Sequence, residues 1–83
     1  MSRNEILEKL DQIFKDVFDD EDVTISEDTT PEDIEDWDSL GHVYLTVEIE
    51  DEFGIKLGEP MKQIENVGQI IDLIIARLEE KNA

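Results

Sequence analysis

Residues 39–53 read Ser39-Leu40-Gly41-His42-Val43-Tyr44-Leu45-Thr46-Val47-Glu48-Ile49-Glu50-Asp51-Glu52-Phe53. No proline interrupts the run, and Gly54 follows it as a natural helix stop. On a helix, successive side chains turn by about 100°. Projected that way, the apolar residues divide into two groups. Leu45, Ile49 and Phe53 share one side, with His42 and Thr46 beside them. Leu40, Val43, Tyr44 and Val47 lie nearly opposite. Glu48 and Glu52 flank one seam and Glu50 the other, while Asp51 lies below the second patch. An ordinary surface helix has one apolar stripe. A second stripe ringed by acids is the usual anatomy of a transient interface. Leu45, Ile49 and Phe53 are therefore assigned to the core. Leu40, Val43, Tyr44 and Val47, with Glu48, Glu50 and Asp51, are assigned to a partner-docking face. The alternative is that Val43 and Tyr44 cover a neighbouring loop.

Upstream, residues 19–38 are acidic and lack a sustained period. They read as a long loop, with Val23, Ile25, Ile34 and Trp37 as pins into the core. Thr30 and Pro31 suit the start of one short helical turn. Before the loop, Ile6, Leu7, Leu10, Ile13, Phe14, Val17 and Phe18 form a single helical stripe over residues 3–18. Ser2 and Glu5 open it as a capping box. Downstream, Pro60 suits a short helix to about Glu65. Asn66, answered by Gln69, caps a last helix carrying Val67, Ile70, Ile71, Ile74, Ile75 and Leu78. The expected fold is all-α: a four-helix bundle of three long helices and one short one. Its interior is expected to be lined by Leu10, Phe14, Leu45, Ile49, Ile71 and Ile75.

The 83 residues suit one domain, 1–83. The absence of cysteine excludes disulfides, thiol nucleophiles and Cys-based metal sites, and it fits a reducing compartment. Asp plus Glu number 24 against 7 Lys plus Arg, a net charge of −17. Such a surface repels nucleic acid and anionic lipid and attracts basic partners. The start MSRNEILEKL has no apolar signal region, and the apolar run from Ile70 to Ala76 contains Asp72 and is too short to span a bilayer. A soluble cytoplasmic monomer is expected.

Ser39 sits where a helix N-terminus offers unpaired N–H groups and the positive end of the dipole. A phosphodiester on its hydroxyl would be stabilised by both. A plain N-cap role for Asp38 or Ser39 is the commoner use of such a position. Ser39 and His42 lie one turn apart, so a catalytic dyad is the enzyme alternative. No glycine-framed nucleophile elbow accompanies them, and no catalytic residue is assigned. The acidic loop lacks the central Gly and final Glu of a calcium-binding hand. No metal site is assigned, though loose divalent binding by its carboxylates is expected.

Asp38-Ser39-Leu40, opening an acidic helix after a long acidic loop, resembles the DSL attachment motif of acyl carrier proteins and the related peptidyl carriers. The resemblance extends over nearly the whole chain. It includes the helix ending EIEDEFGIKL and the last helix entered through Asn66-Val67-Gly68-Gln69. It implies that Ser39 receives 4′-phosphopantetheine from coenzyme A through a phosphopantetheinyl transferase, with Asp38 and Leu40 helping that enzyme find the serine. It further implies that the arm's thiol holds acyl groups as thioesters for acyl-loading and acyl-transfer enzymes. The docking face would meet basic patches on those partners. The sequence also departs from the family. Carriers of fatty-acid synthesis usually place acids at the positions held here by Gly41 and Tyr44, and small residues where Trp37 stands. The resemblance implies a place in fatty-acid or specialised lipid, secondary-metabolite or envelope biosynthesis, and these departures favour the specialised carrier. An aminoacyl or peptidyl carrier, and an unmodified acidic interaction module, are the alternatives.

Overall fold

The structure is a computed structural model that describes residues 1–82. Three α-helices span Arg3–Phe18 (α1), Ser39–Phe53 (α2) and Val67–Asn82 (α3). Two short 3₁₀ helices interrupt the connectors, at Pro31–Asp33 and Glu59–Gln63. No strand occurs among the described residues. The fold is all-helical, as expected, but the short fourth helix is a 3₁₀ turn. It begins one residue before Pro60 and ends before Ile64. Gly58, at φ 73°, turns the chain into it, a backbone state that glycine adopts freely. Ile64 is already extended and terminates it.

The helix limits follow from local caps. Ser2 Oγ accepts from the Glu5 N–H, and Glu5 answers through the Ser2 N–H. Asp19, at φ 50°, ends α1. Gly54, at φ 64°, ends α2, its N–H reaching the Glu50 carbonyl. Asn66 Oδ1 accepts from the Gln69 N–H at 2.9 Å. Gln69 in turn accepts from Glu65 N–H, not from Asn66 as the capping-box pattern implied.

The core forms where one face of each helix meets the others. Ile6, Leu10 and Phe14 of α1, Leu45 and Ile49 of α2, and Ile70, Ile71 and Ile74 of α3 are fully enclosed. Ile75, expected in the interior, is only half-buried. The α3 face runs through 67, 70, 71 and 74, which leaves Ile75 at its rim. Phe14 meets Phe18 and Trp37 edge-on, with centroids 5.7 and 5.0 Å apart.

The long connector 19–38 is held by ties along its length. Ile25 and Trp37 are buried, and Val23 and Ile34 pack against the core from partly exposed positions. Lys15 of α1 donates to the Val23 carbonyl, and Asp11 accepts from the Ile25 N–H. The carbonyls of Thr29 and Glu27 accept from the N–H groups of Val67 and Gly68, at 2.9 and 2.8 Å. The connector thus caps α3, satisfying donors that a helix start leaves unpaired. Gly68 permits this approach, because a Cβ there would lie 3.1 Å from the Glu27 carbonyl oxygen. Arg3 completes the junction. Its guanidinium donates to Glu27, Asp72 and the Gly68 carbonyl. The Arg3 contact holds the Glu27 carboxyl below its ordinary range, and the Ser2 N–H does the same for Glu5.

Candidate functional site

The start of α2 is built by Asp38. Its carboxylate accepts from the Gly41 N–H at 2.8 Å, and its carbonyl accepts from the His42 N–H at 2.8 Å. Asp38, not Ser39, is therefore the N-cap. Ser39 is the first helical residue and is exposed. Its hydroxyl is free of the capping duty and stands beside N–H groups of the first turn that have no intrahelical acceptor.

Gly41, where the resemblance expects an acid, is buried. A Cβ there would lie 2.6 Å from the Asp36 carbonyl oxygen and 2.9 Å from Phe18 Cε1. The connector and α1 press against the first turn of α2 too closely for a side chain.

His42 and Trp37 form a unit that the sequence reading did not join. Trp37 Nε1–H donates to His42 Nδ1 at 2.9 Å, and His42 Nε2 lies 2.7 Å from the Met61 carbonyl oxygen. An indole N–H only donates, so Nδ1 must accept. The ring proton then sits on Nε2 and is donated to Met61. The two rings stack 13° from parallel, 6.1 Å between centroids. Both nitrogens are engaged, so neither is left for Ser39, and the dyad has no base. The only sequence signal was a histidine on the core side of α2. Its acceptor is a backbone carbonyl, which composition does not mark.

The two faces of α2 separate as projected. Leu45, Ile49 and Phe53 are buried. Leu40, Val43, Tyr44 and Val47 are 49–60 % exposed, so Val43 and Tyr44 do not serve as cover for the connector. The acids divide further. Glu48 and Asp51 are exposed, whereas Glu50 is half-buried and accepts from the Leu57 N–H at 2.8 Å. Glu50 shapes the turn after α2 as well as contributing charge. Beside Ser39 opens a groove of about 580 Å³, lined by Pro31, Trp37, Asp38, Ser39, His42, Val43, Lys62 and Ile64. Pro31, Lys62 and Ile64 were not foreseen as site residues; they come from both 3₁₀ segments and the extended residue after the second.

No family model and no curated protein matches the chain. A solved structure does. The solution NMR structure of the holo acyl carrier protein from Geobacter metallireducens matches at a TM-score of 0.83 and 36% identity, over 92% of this chain and 88% of that one. The chain belongs to the acyl carrier protein family. The relationship supports a carrier role rather than a catalytic one. Within this acyl carrier fold, the start of α2 joins an exposed serine, an exposed apolar face and an open groove. Among the described residues, no cluster of three metal-ligating side chains occurs and no helix is long and apolar enough to cross a membrane.

Proposed function

We propose that this protein carries acyl groups as thioesters on a 4′-phosphopantetheine arm attached to Ser39. The observation that carries the reading is the exposed Ser39 hydroxyl at the first position of α2, with Asp38 already committed as cap. Attachment forms a P–O bond at Ser39 Oγ and breaks the pyrophosphate bond of coenzyme A, releasing its adenosine bisphosphate portion and the hydroxyl proton. A separate transferase catalyses this. The phosphodiester would gain from the free N–H groups and the dipole of α2. Asp38 is an anion at the same place. Its bond to the Gly41 N–H turns one carboxylate oxygen into the helix, which limits that repulsion. When bound, the arm supplies the thiol that this cysteine-free chain lacks.

The exposed face of α2 serves as the docking surface. Leu40, Val43, Tyr44 and Val47 give apolar contact, and Glu48 and Asp51, with Glu50, face basic residues of partner enzymes. Charge complementarity chiefly raises encounter rates and sets orientation, which suits brief visits to several enzymes. With Gly41 and Tyr44 at the upper turns, fewer cations are called for there. This favours a specialised carrier over one serving general fatty-acid synthesis.

Intact-mass measurement after incubation with coenzyme A and a phosphopantetheinyl transferase tests the assignment. The wild-type chain is expected to gain one phosphopantetheine unit. Ser39→Ala is expected to stay folded and gain nothing. A wild-type chain that remains unmodified would leave an acidic interaction module as the better description.

A further inference from the structure

We infer that the Trp37–His42–Met61 chain bolts the bundle shut beneath Ser39, so that the acyl group stays outside the interior. This rests on the proposed attachment at Ser39.

The bolt joins three parts of the fold: the connector before α2, α2 itself and the second 3₁₀ helix. Trp37 is 4 % exposed and Met61 1 % exposed. Trp37 also packs edge-on with Phe14 of α1. An alkyl chain passing from Ser39 between α2 and the second 3₁₀ helix must part His42 from Met61 or lift Trp37 off Phe14. Either movement leaves an indole N–H or a carbonyl without a partner in a buried place, which hydrocarbon does not replace. The interior side chains Leu45, Ile49, Ile71 and Ile74 are all fully enclosed. Interiors packed this closely yield to extra methylenes only with strain.

The groove above the bolt offers the opposite environment. Pro31, Val43 and Ile64 give it apolar walls, while Asp38, Ser39 and Lys62 bring a carboxylate, a hydroxyl and an ammonium. Lys62 is paired with Glu59 across 3.1 Å on an exposed surface, a contact that water already weakens. Because Ser39 lines this groove, the amides and hydroxyl of the arm itself find partners in it. A long alkyl chain leaves most of its surface wet.

The test compares octanoyl and 3-hydroxybutyryl groups, each transferred with the arm from the corresponding acyl-coenzyme A. The mass confirms loading. Failure to load at all counts against attachment at Ser39, whereas the bolt is judged only on loaded protein. In the wild-type chain, octanoyl is expected to leave the melting temperature and the methyl resonances of Leu45, Ile49 and Ile71 unchanged. Hydroxylamine should cleave that thioester as fast as free octanoyl-pantetheine. With either group, attachment of the arm should shift Val43, Lys62 and Ile64 relative to the unmodified chain. In His42→Ala, octanoyl should raise the melting temperature, shift the interior methyls and slow cleavage. Trp37→Phe, which keeps a ring but loses the N–H, gives a second opened variant should His42→Ala unfold. Interior shifts and slowed cleavage in the wild-type chain would overturn the inference. So would variants in which octanoyl stays outside as before.

Discussion

Two residues at the start of α2, Gly41 and Tyr44, carry most of its departure from the family pattern, and for Gly41 the reason is steric. Gly41 stands where an acid is usual, and the connector leaves its Cβ no room, with Asp36 and Phe18 both closer than a side chain tolerates. Gly41→Ala is expected to lower stability by about 1–3 kcal/mol through that crowding, against the small gain in helix propensity. Urea unfolding followed by the single tryptophan measures it. Tyr44→Glu, at an exposed position, should leave stability nearly unchanged in the same assay, which separates a steric requirement from a chemical choice. His42 works through geometry in a different way. Its neutral ring links a buried indole to a buried carbonyl, accepting at Nδ1 and donating at Nε2. His42→Ala leaves both partners unsatisfied and is expected to cost about 1–3 kcal/mol. The tryptophan emission should shift to the red as water reaches Nε1. An unchanged unfolding midpoint and emission would show that water replaces the imidazole without loss.

At the scale of elements, the long acidic connector behaves as part of α3 rather than as slack between α1 and α2. Thr29 and Glu27 accept the first N–H groups of α3, and Arg3 binds Glu27, Asp72 and Gly68 together. Arg3 is itself raised by these carboxylates and stays protonated throughout the working range. Glu27 is lowered from its ordinary 4.5, chiefly by the Arg3 hydrogen bond. The sign follows from proton counts. Around pH 4.5 the unfolded chain binds more protons at this site than the folded chain. The stabilisation is complete above that value and is lost as pH falls through the lower folded one. Arg3→Gln should therefore be less stable than wild type at neutral pH, with the difference shrinking toward the acid end of the profile. A gap that persists unchanged into acid would assign the loss to packing instead. This junction also shows what sequence reading can reach. The starts of all three helices and the end of α2 were legible because Ser2, Asp38, Asn66 and Gly54 mark them locally. The two faces of α2 followed from rotation alone. The Arg3–Glu27 tie and the His42–Met61 bond join residues far apart in sequence, one through a backbone atom, and no local pattern announces them. The second 3₁₀ helix was read as α because Pro60 marks a start equally for both.

For the whole molecule, the decisive quantity is a net charge of −17 on a body with extents of 37 × 24 × 21 Å. Two effects of salt oppose each other. The ion pairs, among them Arg3–Glu27, Lys9–Glu52 and Arg77–Glu80, weaken as ions screen them. Exposed pairs of this kind are largely screened by water and contribute little, so their loss is small. Repulsion among the excess carboxylates also weakens, and it acts over the full surface. At 0.01 M salt the screening length is about 30 Å, longer than two of the molecule's three dimensions, so nearly every carboxylate opposes every other. At 1 M it falls to about 3 Å, and only adjacent groups still interact. Unfolding spreads the charges apart, so repulsion favours the unfolded chain most where screening is weakest. The melting temperature should therefore rise steadily from 0.01 M toward 1 M sodium chloride, at fixed neutral pH. Chloride ranks low among salts that strengthen apolar burial, whereas sulfate strengthens it strongly, so a chloride series isolates the electrostatic part. Magnesium chloride at matched ionic strength should raise it further, since a divalent ion neutralises neighbouring carboxylates that a monovalent ion only screens. A melting temperature that falls with sodium chloride would mean that the ion pairs outweigh the excess charge, and the connector's ties would then rank above repulsion in setting stability.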